Sequence, residues 1–171
     1  MLTRFDWWLI LIVILLLALD LTVLTSISPQ TVPSQLLFAG LAGVVFLVIA
    51  RTDYRLWKSL ALPLYILSLL LLLLTLGFGQ TARGASRWLA LGPLQFQPSE
   101  MVKPLLVLCF AAWLETPRWR LKSLFLLTAA AFLPIWLIFR QPDLGSSLVL
   151  IVAWASLIFA AGLPARIIIV I

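Results

Sequence analysis

The side chains that could do chemistry are concentrated in two polar stretches of an otherwise apolar chain. Residues 84–104 contain a group of cationic, acidic, amide and indole side chains, namely Arg87, Trp88, Gln97, Glu100 and Lys103. The second stretch, residues 140–143, adds Arg140 and Asp143. Cationic side chains and helix N-termini bind phosphate groups through charge-assisted hydrogen bonds. We therefore predict that these side chains line a site for a ligand that bears phosphate or pyrophosphate.

Each stretch also carries the signals of a helix start. Residues 97–100 (Gln-Pro-Ser-Glu) and residues 141–143 (Gln-Pro-Asp) place a proline where a first helical turn would begin. Proline suits that position, and an acidic residue there complements the positive end of the helix dipole. A purely structural interpretation of both motifs is therefore open. Glu100 and Lys103, three residues apart, would then form an ion pair on one helix face.

The composition of the chain predicts the environment of these stretches. Of 171 residues, 64% are hydrophobic and only 11% are charged, and the mean hydropathy is +1.18, unlike a soluble domain. Several apolar runs are long enough to cross the roughly 30 Å hydrocarbon core of a bilayer as helices. The chain has no His and one cysteine, Cys109, which excludes an internal disulfide and argues against a metal site built from His or Cys. We therefore predict an all-α, polytopic membrane helix bundle.

Six transmembrane helices are predicted, separated by turns and basic loops. Their approximate spans are 7–24, 34–50, 59–76, 98–114, 123–139 and 144–162. A long polar and aromatic connection, residues 77–96, precedes the fourth helix. Residues 167–171 begin a seventh apolar run, but five residues rise only about 7.5 Å as a helix. We therefore expect residues 1–171 to form a single membrane domain that is truncated.

The distribution of basic residues predicts the orientation of the bundle. With the N-terminus in the cytoplasm, the cations that lie inside are Arg4, Arg51, Arg55, Lys58, Arg118, Arg120, Lys122 and Arg166. Those that lie outside are Arg83, Arg87, Lys103 and Arg140. Because cytoplasmic loops carry the excess of Lys and Arg, the predicted site faces outward. Orientation and anionic membrane lipid then account for the net charge of +6, and no nucleic acid partner is expected.

Asp20 stands apart from both polar stretches. It falls about fourteen residues, or roughly 21 Å, along the first helix from Asp6, in the outer half of the membrane. A charged aspartate at the centre of a membrane helix costs about 3 kcal/mol on insertion scales. We expect Asp20 either to be protonated or to face the same outer cavity.

Three motifs, in fixed order and spacing, carry a family resemblance. They are residues 84–88 (Gly-Ala-Ser-Arg-Trp), 96–103 (Phe-Gln-Pro-Ser-Glu-Met-Val-Lys) and 141–147 (Gln-Pro-Asp-Leu-Gly-Ser-Ser). Their content resembles the SEDS (shape, elongation, division, sporulation) family of RodA, FtsW and SpoVE proteins. The Gln-Pro-Asp-Leu-Gly form is closer to the RodA branch. The resemblance covers the whole chain and implies about the first half of a ten-helix fold.

The resemblance implies a peptidoglycan glycosyltransferase in the bacterial cytoplasmic membrane. Such enzymes polymerise lipid II, an undecaprenyl-pyrophosphoryl disaccharide-pentapeptide, on the outer face, with a class B penicillin-binding protein as transpeptidase partner. By position, the residues that match the lining of the outer cavity are Arg87, Trp88, Glu100, Lys103 and Asp143. Gln97 would shape its wall.

The resemblance also implies where the catalytic residue lies. In the family, the catalytic aspartate is in a large outer loop after the seventh helix, and residues 167–171 only begin that helix. We therefore expect the catalytic residue to lie beyond Ile171, with none within residues 1–171. On this view the chain has no activity alone.

Two other functions stay open from the sequence. The chain could belong to a transporter of lipid-linked precursors, in which the outward cations would form a release site. It could instead be a non-catalytic membrane scaffold that binds a penicillin-binding protein. No cofactor is evident, although Mg²⁺ at the pyrophosphate would suit the carboxylate oxygens of Glu100 or Asp143.

Overall fold

The computed structural model describes residues 6–82, 85–91, 94–115 and 121–162, which belong to two compact units. The first unit ends at Thr52 and is a helical hairpin of α1 (Trp7–Ile27) and α2 (Val32–Arg51). A 3₁₀ turn, Pro29–Thr31, joins the two helices, because proline cannot continue the α-helical hydrogen bonds. Neither helix buries any of its described residues, so their apolar side chains are left to contact lipid or protein.

The second unit contains the remaining helices and three short strands. Its elements, in chain order, are α3 (Tyr54–Ser59), α4 (Ala61–Phe78), β1 (Gln80–Ala82), β2 (Ala85–Leu91), β3 (Leu94–Phe96), α5 (Pro98–Leu114), α6 (Leu121–Arg140) and α7 (Leu144–Ala160). The strands form an antiparallel sheet in the order β1-β2-β3. Among the helices, α4 packs against α5 and α6, and α7 packs against α5 and α6.

The predicted all-α helix bundle is confirmed, with a helix at each of the six predicted places. Within the described residues, the segments long and apolar enough to cross a membrane are Trp7–Ile27, Pro29–Arg51, Ala61–Phe78 and Ser123–Arg140. α7 is also apolar but has 17 residues. The chain is therefore a multi-pass membrane protein.

The predicted start of a seventh helix, residues 167–171, lies outside the described residues. Ile171, the residue beyond which the catalytic group is expected, is part of that segment. The expectation of a truncated single domain and the placement of the catalytic group beyond Ile171 therefore stay predictions.

The region of the third predicted helix differs from expectation, because a separate short helix, α3, precedes α4. Asp53 caps α3 by accepting a hydrogen bond from the backbone N–H of Arg55 at 2.9 Å. The main helix then restarts at Ala61, and Pro63 lies in its first turn. Because Pro63 has no N–H to donate to the carbonyl of Ser59, the chain is predisposed to break at this point.

The predicted connection at residues 77–96 contains the three strands, which the sequence did not reveal. Pairing places Gln80 opposite Trp88 and Leu89 opposite Phe96. β1 and β3 have three residues each, too few to show the alternation of polar and apolar side chains that signals a strand. β2 packs against α4 and α5, so the sheet lies next to the start of α5.

An aromatic cluster lies at the centre of the second unit. Phe110 on α5 is fully buried and meets Trp154 on α7 edge to face, with ring centroids 5.2 Å apart. Such aromatic pairs contribute about 0.5–1.5 kcal/mol beyond the area they bury. Cys109 is also fully buried, with its Sγ 3.1 Å from the carbonyl oxygen of Ala61, as expected for a packing residue.

A proline inside α6 leaves a carbonyl that forms a hydrogen bond with α4. Pro134 has no N–H to donate to the carbonyl of Ala130, four residues earlier in α6. The hydroxyl of Tyr65 on α4 donates to that carbonyl oxygen at 2.9 Å. The hydrogen bond that the proline removes within α6 is thus replaced by one that joins α6 to α4.

Candidate functional site

α5 and α7 begin next to each other, and several predicted site residues meet there. Gln97 immediately precedes α5, and Asp143 immediately precedes α7. Asp143 is the N-cap of α7, where its Oδ1 accepts a hydrogen bond from the backbone N–H of Ser146 at 3.1 Å. This bond satisfies one of the N–H groups that every helix leaves without an internal acceptor at its start. The structural interpretation of Asp143 is therefore correct, but it accounts for only one of the two carboxylate oxygens.

Gln97 links the two helix starts through its side-chain amide. Its Nε2 donates to Asp143 Oδ2 and to Ser99 Oγ, both at 2.9 Å. Asp143 is only 7% exposed, and Ser99 is fully buried. A buried carboxylate is costly unless it is hydrogen-bonded, and here both oxygens accept a hydrogen bond. Asp143 is thus a buried, fully engaged carboxylate that joins α7 to α5.

Glu100 and Lys103 form the outer part of the site. Lys103 Nζ donates to Glu100 Oε1 at 2.8 Å, which confirms the predicted ion pair. The same oxygen accepts a longer hydrogen bond, 3.4 Å, from Oγ of Ser146 on α7. The Lys103 side chain is 18% exposed, whereas that of Glu100 is 57% exposed. The Lys103 side chain as a whole is therefore mostly covered by protein, whereas the side chain of its carboxylate partner reaches the surface.

The electrostatics of this region follow from two adjacent helix starts. The contacts of Gln97 with Asp143 and of Glu100 with Ser146 place the N-terminal turns of α5 and α7 side by side. Each N-terminus is equivalent to about half a positive elementary charge. The two carboxylates outweigh the charge of the two helix ends, and the Lys103 cation brings the sum of these groups close to zero. The site nevertheless offers helix N–H groups and an ammonium, which are donors that can bind an oxyanion such as phosphate.

The other predicted site residues are placed by different contacts. Cζ of Arg140, at the end of α6, lies 5.5 Å from the ring centroid of Trp136 on the same helix. Trp88 is half-buried in β2, the strand that packs against α4 and α5. Arg83 and the side chain of Arg87 lie outside the described residues. The roles assigned to Trp88, Arg87 and Arg140 in ligand binding therefore stay predictions.

Two side chains of this region lie in the 141–147 motif but were not among the predicted site residues. Gln141 is almost fully buried, and its Nε2 donates to the carbonyl oxygen of Leu72 on α4 at 3.0 Å, which ties the α6–α7 turn to α4. Ser146 is 5% exposed and contacts both carboxylates of the site. The sequence does hold a signal for Ser146, because it follows the capping Asp143 by three residues. At that spacing an N-cap side chain accepts a backbone hydrogen bond.

Glu100 and Asp143 are the two carboxylates whose oxygens could bind the Mg²⁺ ion considered from the sequence. Among the described residues, no three His, Cys, Asp or Glu side chains are grouped so that they could hold a metal ion. Mg²⁺ is, however, often bound by one or two carboxylates, with phosphate and water as the other ligands. Glu100 fits that chemistry better than Asp143, because Asp143 is buried and both of its oxygens already accept hydrogen bonds. Metal binding stays a prediction.

Asp20, in the first unit, is paired within its own helical hairpin. Gln35 on α2 donates from Nε2 to Asp20 Oδ2 at 2.7 Å. An ionisable side chain in a membrane helix commonly has a polar partner of this kind. The pairing was not among the predicted alternatives, and the expectation that Asp20 faces the outer cavity stays a prediction.

Known proteins of one family resemble the chain along its whole length. The model of the FtsW/RodA/SpoVE family, described as cell cycle proteins, matches residues 2–171. The probable peptidoglycan glycosyltransferase FtsW of Trichlorobacter lovleyi is 38% identical over 138 residues, which are 75% of this chain and 35% of that protein. The peptidoglycan glycosyltransferase MrdB of Escherichia coli K12 is 33% identical over 169 residues, which are 95% of this chain and 45% of that protein. The chain thus spans less than half the length of these curated relatives.

Solved structures show the same likeness in three dimensions. The rod shape determining protein RodA of Thermus thermophilus is 35% identical with a TM-score of 0.86, and the match covers 98% of this chain and 57% of that one. A chain of a peptidoglycan synthase complex, solved to explain how polymerization and crosslinking are coordinated, is 36% identical with a TM-score of 0.83. That match covers 98% of this chain and 51% of the other. Because both FtsW and RodA proteins match, the preference for the RodA branch stays a prediction.

Proposed function

Because the chain belongs to the FtsW/RodA/SpoVE family, we propose that it forms the pyrophosphate-binding part of a peptidoglycan glycosyltransferase that polymerises lipid II. The observation that carries the proposal is the joined start of α5 and α7, where the mostly covered Lys103 side chain pairs with Glu100 and Glu100 contacts Ser146 on α7. The names of the FtsW and MrdB relatives support the reaction. A site at the end of membrane helices also suits a substrate whose pyrophosphate hangs from a lipid.

The proposed role follows from where charge develops in the reaction. The 4-hydroxyl of the acceptor sugar attacks the anomeric carbon of the donor, and undecaprenyl pyrophosphate leaves. Negative charge grows on the leaving group, and donors that are already in place stabilise it. Lys103 would supply N–H donors to this charge, and the first turns of α5 and α7 would add partial positive charge. Gln97, by holding Asp143, would keep the two turns together around the ligand.

The acceptor hydroxyl also needs a general base, which we assign to a region beyond Ile171. Asp143 is poorly suited to that task, because it is buried and both oxygens accept hydrogen bonds. Glu100 is engaged with Lys103. In the SEDS family the catalytic aspartate lies in an outer loop after the seventh helix. We therefore propose that this chain binds the donor lipid and does not polymerise it by itself.

The proposal extends to location, partner and metal. The excess of cations on one side supports a cytoplasmic N-terminus and an outward site in the bacterial cytoplasmic membrane. A class B penicillin-binding protein is the proposed partner, supported by the similar chain from a complex that coordinates polymerization and crosslinking. Glu100 is the residue that would hold a Mg²⁺ ion, which would supply positive charge to the pyrophosphate.

Lipid II binding to the purified chain in lipid nanodiscs tests the proposal. We expect Lys103→Ala to weaken binding at least about tenfold, because hydrogen bonds to charged groups contribute about 1.5–3 kcal/mol. The matched control is Lys58→Ala, which removes a side chain that is 53% exposed and whose ammonium pairs with Glu115 at 3.1 Å. Equal binding by wild type and both variants would refute the cationic site.

The same preparation separates the alternative functions. In sealed vesicles, transfer of labelled lipid II between leaflets would favour a transporter. Capture of a penicillin-binding protein by a chain that does not bind lipid II would favour a scaffold. Binding of lipid II that depends on Lys103, without transfer between leaflets, is the result expected for the donor-binding part of a glycosyltransferase.

A further inference from the structure

Ser146 contacts both carboxylates of the site, and it does so with two different groups. Its backbone N–H donates to Asp143 Oδ1 at 3.1 Å, which any residue in this position except proline could do. Its side-chain hydroxyl donates to Glu100 Oε1 at 3.4 Å, which requires a serine or a threonine. Ser146 is 5% exposed, so its hydroxyl is confined between α5 and α7. The side chain therefore has a specific partner that helix capping does not explain.

The partner of this hydroxyl is also the partner of Lys103. Glu100 Oε1 accepts from both Lys103 Nζ, at 2.8 Å, and Ser146 Oγ. The Glu100 side chain is 57% exposed, and an exposed glutamate samples several rotamers unless a contact restricts it. The Ser146 hydroxyl provides such a contact from α7. It also takes part of the carboxylate's hydrogen-bonding capacity away from Lys103.

We propose that Ser146 is a positioning residue that acts through Glu100 to keep Lys103 available to an anionic ligand. An ammonium group has three N–H donors, and the observed geometry commits one of them to Glu100. With Glu100 Oε1 held toward α7, the remaining donors of Lys103 can bind phosphate oxygens. Without the hydroxyl, Glu100 is free to pair with Lys103 through both of its oxygens, which would occupy a second ammonium donor in competition with the ligand. This inference rests on the proposed function, because it presumes that the site binds pyrophosphate.

Binding of undecaprenyl pyrophosphate to the chain in nanodiscs tests this role. Ser146→Ala is expected to raise the dissociation constant about three- to tenfold, the range expected for one hydrogen bond of moderate strength. Ser146→Thr, which keeps the hydroxyl, is expected to restore most of the affinity. The matched control is Ser147→Ala, because Ser147 is also buried and its hydroxyl donates to the carbonyl of Asp143 at 2.8 Å without contacting Glu100. The Ser147→Ala variant should bind undecaprenyl pyrophosphate with the affinity of the wild type.

A double-mutant cycle distinguishes positioning from a merely structural effect. In a Glu100→Gln background, Ser146→Ala should have little further effect on affinity, because the group through which it acts is gone. An undiminished loss in that background, or an equal loss in Ser147→Ala, would overturn the proposal. Inorganic pyrophosphate should compete with the lipid, and the fold-changes for the two ligands should agree if the headgroup is recognised.

The outcomes for the two proposals can be told apart. If the wild-type chain binds neither undecaprenyl pyrophosphate nor inorganic pyrophosphate, both the proposed function and the role of Ser146 are refuted. If the wild type binds and Lys103→Ala does not, but Ser146→Ala binds normally, only the role of Ser146 is refuted. Thermal unfolding of each variant is measured in parallel, and a loss of affinity that follows stability alone across the variants also counts against positioning.

Discussion

Replacing Gln97 with methionine should loosen the joined start of α5 and α7 without creating a cavity, because methionine has a similar length. The substitution removes two hydrogen bonds from Nε2, one to Asp143 and one to Ser99. A hydrogen bond to a charged group contributes about 1.5–3 kcal/mol, and one between neutral groups about 0.5–1.5 kcal/mol. Since Asp143 is 7% exposed, water does not readily replace the lost donor. We expect the free energy of unfolding to fall by about 2–4 kcal/mol.

The measurement is reversible unfolding in mixed micelles, with sodium dodecyl sulfate as the denaturant and tryptophan fluorescence as the signal. Gln30→Met, at an exposed position in the turn between α1 and α2, is the control and should change stability by less than about 0.5 kcal/mol. Gln97→Glu replaces the donor by a second carboxylate beside Asp143, so it should cost more than Gln97→Met at about pH 8 because like charges repel. A loss below about 0.5 kcal/mol for Gln97→Met, with no larger loss for Gln97→Glu, would show that the bond to Asp143 does not stabilise the fold.

Three further predictions concern packing in the second unit and use the same unfolding measurement. Tyr65→Phe should lower the free energy of unfolding by about 1 kcal/mol. The loss should be smaller in a Pro134→Ala background, because α6 then regains its internal N–H donor to the carbonyl of Ala130. Equal losses in both backgrounds would contradict the proposed replacement of one hydrogen bond by the other. Phe110→Ala should cost about 3–5 kcal/mol, since the ring is fully buried, and a loss under about 1 kcal/mol would mean that the core collapses around it. Lys58→Ala should change stability by less than about 1 kcal/mol, because both side chains of its ion pair are 53% exposed, and a larger loss would indicate a buried role.

The helices were predictable because the apolar runs dominate their own segments, and their ends were predictable where a proline or an aspartate marks them. Asp143 illustrates this, since its position before an apolar run identified a helix start that the structure confirms. α3 was missed because a six-residue helix has no periodic apolar face to detect. The strands at residues 80–96 were missed because their pairing is a contact between segments, which no single short segment encodes.

In the candidate site, contacts within one helix were predictable from the sequence, whereas contacts between helices were not. The Glu100–Lys103 ion pair follows from spacing on one helix, so the sequence predicts it directly. The bond between Gln97 and Asp143 joins residues from different helices. The sequence predicted that both residues line one site, but not that they bond to each other. Ser146 was overlooked for a related reason. A serine in the first turn of a helix is common, and only the approach of α5 gives its hydroxyl a partner.

The two hydrogen bonds between α5 and α7 join residues that are separated by the same number of positions in the sequence. Gln97 to Asp143 and Glu100 to Ser146 are both separations of 46 residues, so the two helices meet in phase. Parallel helices with apolar faces have little to fix their axial alignment in lipid, because lipid tails are as apolar as leucine. A slip of α7 by one turn, about 5.4 Å, would break both bonds at once. The two bonds together therefore fix a single axial and rotational alignment of α7 against α5.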